Sequence, residues 1–295
     1  MANLKLTGPV TVRPISAGEK VSPYCPILQY MLTMSVLRIM GPTGAGKSTF
    51  IESLAAPSSS SSSTSESNPA PALKISSSGL EGHTQHVTCY KLENVRPTIC
   101  LIDSPGFADA KISQFEIVSK IQKWMRENGV GFISRILYLH PITATRVAGT
   151  HHTAINTFKA LTGQDTETSI MVVTTMWNMV YGQGAYERAQ SNYEQLQGKV
   201  WKVIVNLDLI DQGARIDKFL NTQRSALRIL DDVLSSTRTA IFHFEHRNRD
   251  QRDRYRTPYG INLYSDLVSR ISGLYARRKH LVDEIRKVTV DAGPG

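Results

Sequence analysis

Hydrophobic positions in this chain fall into two rhythms. Compact apolar runs occupy residues 34–40, 87–92, 98–102, 133–139 and 169–174, and the mixed stretch 214–219 reads as a last strand. Between them, apolar residues recur every three or four positions: Ile112, Phe115, Val118, Ile121 and Met125; then Ala154, Ile155, Phe158 and Leu161; then Leu227, Leu230 and Leu234. The compact runs predict buried strands and the spaced ones predict helices. Gly129 and Gly163 stop the first two helices, and the polar stretch 185–202 also reads as helical. Strands alternating with helices predict an α/β fold: a mostly parallel sheet with helices on both faces, three layers in all.

Other stretches break the rhythm. Residues 1–30 carry no clear period and read as a loose extension, which ends where the first strand begins, so residues 1–33 are set apart. Pro57 is followed by Ser58 to Ser63 and then Thr-Ser-Glu-Ser-Asn-Pro-Ala-Pro. This low-complexity tract at 57–79 cannot bury a core. It lies within the domain, so it reads as an insertion in a unit spanning 34–235. Beyond it, 236–295 forms a C-terminal helical extension. There Tyr264, Leu267, Ile271, Leu274, Arg278, Leu281, Ile285 and Val288 keep a strict three-four spacing. Docking on the globular domain is the favoured reading of that stripe; self-association and an acidic membrane surface are the others.

Composition adds limits. The net charge is +9, and residues 236–295 hold twelve Arg and Lys against seven Asp and Glu. That excess suits acidic partners, yet no nucleic-acid module accompanies it. Three cysteines without a C-x-x-C pair exclude a disulfide framework and a thiolate metal site. No signal-peptide pattern opens the chain, and the uncharged stretch 21–37 is broken by Ser22, Pro23, Pro26, Gln29, Thr33 and Ser35. The expected location is the cytoplasm.

The chemistry concentrates at strand ends. Gly41, Pro42, Thr43, Gly44, Ala45, Gly46, Lys47 and Ser48 satisfy G-x-x-x-x-G-K-[ST] between a strand and a helix. Crowded phosphates need backbone N–H donors at close range, which glycines permit. Ser48 and Thr49 open a helix whose N-terminus favours anions. Lys47 brings a point charge to the outer phosphates, and Ser48 a hydroxyl to Mg²⁺. Asp103-Ser104-Pro105-Gly106 ends the strand at 98–102; Asp103 is placed to hold the metal and Gly106 to approach the last phosphate. Thr84 is the leading candidate to complete the metal shell, with Thr88 behind it. The strand at 169–174 leads into Thr175-Met176-Trp177-Asn178, where base recognition is expected. An aspartate there would accept from both guanine donors; Asn178 has one acceptor oxygen and cannot reproduce that fork.

In this order, the motifs resemble translation-factor-related GTPases. The resemblance is greatest to fungal G domain proteins of the septin-like, immunity-associated branch, over about 34–235. R-I-M-G-P-T-G-A-G-K-S-T-F-I at 38–51, D-S-P-G-F at 103–107, S-R-I-L-Y-L-H at 134–140 and V-T-T-M-W at 173–177 carry it, with weaker support from 221–230. The fungal pattern often reads T-T-M-W-D, so Asn178 departs from it. The resemblance implies a P-loop fold, GTP or GDP as ligand, Mg²⁺, and a homodimer across the nucleotide face. It also implies that residues near Asn221 close over the base. Phe107 stands where Ras-like enzymes carry a water-orienting glutamine. The expected activity is therefore a slow, Mg²⁺-dependent GTPase serving as switch or assembly module, with Lys47 and Arg146 as catalytic residues. A non-hydrolysing scaffold and an ATP-preferring enzyme are the alternatives. His140 lies near Arg146 but reads as structural. His151 and His152 read as surface, because adjacent helical side chains do not face one another.

Overall fold

The computed structural model describes residues 10–16, 19, 34–55, 73, 75, 84–95, 98–107, 109, 111–144, 149–163, 166–197, 215–235, 240–245 and 256–291. Seven strands form one sheet: β1 (Thr11–Pro14), β2 (Met34–Met40), β3 (Thr88–Glu93), β4 (Thr98–Asp103), β5 (Arg135–Pro141), β6 (Ile170–Thr175) and β7 (Arg215–Lys218). Their order across the sheet is β1-β3-β4-β2-β5-β6-β7. β2, β4, β5, β6 and β7 are parallel, while β3 runs antiparallel to both neighbours. Among the described residues six α-helices accompany them: α1 (Lys47–Ala55), α2 (Gln114–Glu127), α3 (Gly149–Thr162), α4 (Gln183–Gln195), α5 (Gln223–Leu234) and α6 (Gly260–Asp291).

The central strands are apolar on both faces because both faces are covered. Leu37, Ile39, Leu101, Leu137, Leu139 and Val173 pack with Phe50 and Leu54 of α1 and Ile229 and Leu230 of α5. Val36, Met40, Ile102, Ile136, Tyr138 and Val172 pack with Ile117 and Ile121 of α2 and with Phe158 and Leu161 of α3. Thr222 starts α5 through a capping box with Ser225. The chain places β4 on one side of β2 and β5 on the other. The loop after β2 therefore lies where the strand order reverses, the usual ligand crevice of such sheets.

Two expectations change. Residues 11–14, read as loose extension, add an edge strand along β3, pinned where Arg13 donates to Glu93 at 2.6 Å and to Glu19 at 2.7 Å. Four residues are too few to register a period, and the pairing energy comes from a partner distant in sequence. The stripe expected to dock is not buried, and the C-terminal helix meets the body through other residues at its root. There Tyr259 and Leu263 are buried, and the Tyr259 hydroxyl accepts from Gln122 at 3.0 Å. Every residue from 271 to 288 is exposed. The serine-rich tract, apart from Leu73 and Ile75, lies outside the described residues, as do 246–255 and most of 1–33.

One polar intrusion crosses the core. Arg38 of β2 is fully buried, its guanidinium 4.9 Å from the Phe244 ring and 5.8 Å from the Phe107 ring. Its nitrogens have no hydrogen-bond partner among the described residues, and burial pulls the guanidinium down to about 9. Glu245 is its nearby countercharge, accepting from the backbone N–H groups of Ile133 and Phe242. Burial pushes the Glu245 carboxyl from its ordinary 4.5 up to about 7. The native state thus holds an extra proton in that window, and the stability this lends is lost as pH rises through 7. Wild type should gain stability relative to Glu245→Gln as pH falls from 7 to 4.5, measured by urea unfolding at both ends. A difference that does not vary with pH would rule this out.

Candidate functional site

The loop after β2 is held by close backbone contact. Gly41 has φ 141°, and a Cβ there would meet the Leu139 carbonyl oxygen at 2.4 Å. A Cβ on Gly106 would meet the Thr43 nitrogen at 2.4 Å. With neither side chain present, the two segments clasp: Phe107 N–H donates to the Gly41 carbonyl at 3.1 Å, and Thr43 N–H donates to the Phe107 carbonyl at 3.2 Å. Gly44 and Gly46 also lie in the left-handed region, which shapes the loop around the start of α1. Ala45 is buried, and its carbonyl accepts from the Thr175 hydroxyl at 3.0 Å. Thr49 sits in the first turn of α1, its carbonyl accepting from Ser53.

Three residues remote in sequence meet at this loop. The Ser48 hydroxyl donates to Asp103 Oδ2 at 3.1 Å and lies 3.4 Å from the Thr84 hydroxyl. Asp103 Oδ1 is buried with no hydrogen-bond partner among the described residues. An orphaned carboxylate oxygen beside two hydroxyls is a hard-oxygen donor set, which fits Mg²⁺ completed by phosphate oxygens and water. Lys47 is buried and donates to the Pro42 carbonyl at 2.9 Å and the Gly41 carbonyl at 3.4 Å. Burial pulls its ammonium down to about 8, against the attraction of Asp103 and Asp109. Burial likewise pushes the Asp103 carboxyl up, against the pull of Lys47 and Ser48. In both, desolvation exceeds the mutual attraction, so each charge gains from an ionic ligand.

The turn after β6, where base recognition is expected, is tightly built. Met176 is left-handed with φ 63°, and Trp177–Met179 forms a single 3-10 turn that exposes Asn178. Trp177 Nε1 donates to the Thr174 hydroxyl at 3.0 Å. Lys218, at the end of β7, sits 4.3 Å from the Trp177 ring and 4.4 Å from the Tyr193 ring. This box stiffens the turn by cation–π attraction. Asn221 is also left-handed, its side-chain oxygen 3.5 Å from the Ser53 hydroxyl, so the α5 entry abuts α1.

Sequence reasoning missed Lys218 and Asp109. Asp109 accepts from the Thr43 hydroxyl at 3.0 Å and from the N–H of Lys111 at 2.7 Å. Its own carbonyl accepts from Arg270 of α6 at 2.6 Å. A lone Asp two residues beyond Phe107 signals nothing by itself; a search for short-range caps of the N–H groups before α2 would have found half of its role. Phe107 is buried against the Arg38 guanidinium, turned into the core. His140 is buried on β5 opposite Thr174. Arg146 lies outside the described residues, and so do the side chains of His151 and His152 on α3. Among the described residues, no group of three His, Cys, Asp or Glu could hold a metal ion, and no helix is long and apolar enough to cross a membrane.

A glycine-rich loop lies at the switch point of a mostly parallel sheet, with a lysine inside it and Ser48, Thr84 and Asp103 converging beside it. Residues 36–175 match the family model described as 50S ribosome-binding GTPase. No curated protein matches the sequence. Among solved structures, Toc33 from Arabidopsis thaliana in complex with GDP and Mg²⁺ aligns with a TM-score of 0.54 at 13% identity, over 74% of this chain and 90% of that one. Toc33 with Mg²⁺ and GMPPNP aligns with a TM-score of 0.53 at 14% identity, over 73% and 90%. A structure of the chloroplast translocon components atToc33 and psToc159, in which dimerization is important for GTPase activity, gives 0.53 at 15%, over 73% and 88%. At these identities the likeness speaks for the fold alone.

The clasp makes a direct prediction. Gly106→Ala should leave the circular dichroism spectrum unchanged, because Gly106 lies outside every helix and strand. It should weaken nucleotide binding by about tenfold or more by forcing Thr43 off Phe107. Wild-type affinity in this variant would show that the contact does not shape the site.

Proposed function

We propose that this protein binds GTP with Mg²⁺ and hydrolyses it slowly, as a switch or assembly module of the septin-like, immunity-associated branch. The observation that carries this is the convergence of Ser48, Thr84 and Asp103 beside the phosphate loop. Residues 41–49 receive the phosphates, with Lys47 as the buried charge and Gly106 facing the last phosphate. Ser48, Thr84 and Asp103 hold the metal, which when bound neutralises charge developing on the phosphate oxygens. Thr175 supports the loop from behind through Ala45. Asn178, exposed beside the Trp177–Lys218 box, meets the base. We place the G domain at 34–235, with 57–79 inserted and 236–295 appended, in a cytoplasmic protein.

Slow turnover follows from Phe107. It is buried and carries no group to orient water. Arg146, just past the end of β5, is the candidate to stabilise charge in the transition state, in cis or across a homodimer at the nucleotide face. The dimer-dependent GTPase activity of the Toc33 structures supports that arrangement for this fold. The second reading is a scaffold that holds nucleotide without turnover, favoured by the same buried Phe107.

Calorimetric titration of GTP and ATP with Mg²⁺ tests the claim directly. GTP is expected to bind at least about tenfold more tightly than ATP, and Lys47→Ala is expected to lose about two orders of magnitude. Equal affinity for ATP would defeat the guanine assignment. Phosphate release should rise more than linearly with protein concentration if dimerisation completes the site; no release at any concentration would favour the scaffold. In the same titration Asn178→Asp should raise GTP selectivity over ATP about tenfold, because a carboxylate accepts from both guanine donors. Unchanged selectivity would mean that this turn does not read the base.

A further inference from the structure

The projecting half of α6 is long, exposed and patterned. α6 spans 32 residues, about 48 Å. Its root is fixed to the body: Leu263 is buried, Asp266 accepts from the Gln114 N–H at 3.1 Å, and Arg270 donates to the Asp109 carbonyl at 2.6 Å. Past that point Ile271, Leu274, Tyr275, Leu281, Val282, Ile285 and Val288 are between 39% and 68% exposed. A lone helical segment of 18 residues in water is only marginally stable, and an apolar stripe along it costs further free energy until it is covered.

We propose that this stripe pairs with the same stripe of a second copy of the chain, antiparallel, with Arg278 against Leu281 of the other copy. In heptad terms Ile271, Arg278 and Ile285 take position a, and Leu274, Leu281 and Val288 take position d. Two arguments select a second copy in this orientation. The first is charge. Arg277 and Glu284 occupy successive g positions, which face one another across an antiparallel pair. In the stated register, Arg277 of each copy meets Glu284 of the other, and Tyr275 meets Val282. A parallel pair would instead oppose Arg278 to Arg278 and face Arg277 to Val282, leaving no ion pair between copies. The second is the body. The whole chain carries +9 and most of that excess lies before residue 271, so two bodies repel, and antiparallel pairing holds them at opposite ends of the joined helices.

None of these positions belongs to the proposed nucleotide site, and the test needs no nucleotide. Sedimentation equilibrium of the full chain without nucleotide, at about 1–100 µM, should show a reversible dimer. Arg277→Glu should weaken it about tenfold by setting like charges against Glu284, and the double variant Arg277→Glu/Glu284→Arg should restore it. Both positions are exposed, so neither change burdens the fold. In a Cys25→Ser background, a mixture of Arg278→Cys and Leu281→Cys chains should form the mixed disulfide under mild oxidation. A monomer across the range overturns the proposal, as does an Arg277→Glu dimer of unchanged strength or a dominant Arg278→Cys self-link. A monomer that sediments with phosphatidylserine vesicles would assign the stripe to membrane instead. None of these outcomes touches GTP binding, which the Lys47→Ala titration decides separately.

Discussion

The site depends on one steric constraint: two backbone segments must touch without side chains between them. Residues 41–43 and 106–107 come together because Gly41 lies under the Leu139 carbonyl and Gly106 lies on Thr43. The clasp they form makes the phosphate loop and the segment after β4 a single unit. Displacement at Gly106 is therefore displacement at Thr43. Asp109 extends the unit by holding the Thr43 hydroxyl, and Arg270 ties Asp109 to the root of α6. The path from the phosphate loop to the C-terminal helix is thus continuous in hydrogen bonds.

The same loop concentrates unfavourable burial. Lys47 and Asp103 are both shifted toward their neutral forms, and Asp103 Oδ1 has no partner among the described residues. A stable core would not choose such groups. The triphosphate and Mg²⁺ proposed for this site would supply what each lacks and so offset the cost. Arg38 is a second costly burial, and its neighbours explain it. The guanidinium lies near both Phe107 and Phe244, so it joins the segment after β4 to the stretch before α6.

Much of this was legible in the sequence. Buried strands read as apolar runs because both faces are covered, and helices read by their stripe. The phosphate loop was legible because its chemistry is carried by contiguous residues whose spacing is set by local backbone geometry. Asp103, Ser48 and Thr84 were legible as types at strand ends and in the intervening loop, and folding brought them within hydrogen-bonding reach. Other features left no local trace. β1 is four residues whose partner lies about eighty positions away. Lys218 gains meaning only beside Trp177 and Tyr193. Asp109 is an ordinary turn residue until Thr43 and Arg270 reach it.

The sequence by itself determined the fold class, the phosphate loop and the residues around it, because those follow from period and from contiguous motifs. It also determined the heptad stripe of the C-terminal helix. Tertiary structure alone decided that Tyr259 and Leu263, rather than that stripe, are buried against the body, because burial depends on where the body ends. It decided that Phe107 turns inward to Arg38 rather than toward the nucleotide side, and that Thr175 braces Ala45. These outcomes rest on contacts between segments far apart in the chain, and no local pattern of residues encodes the distance at which they meet.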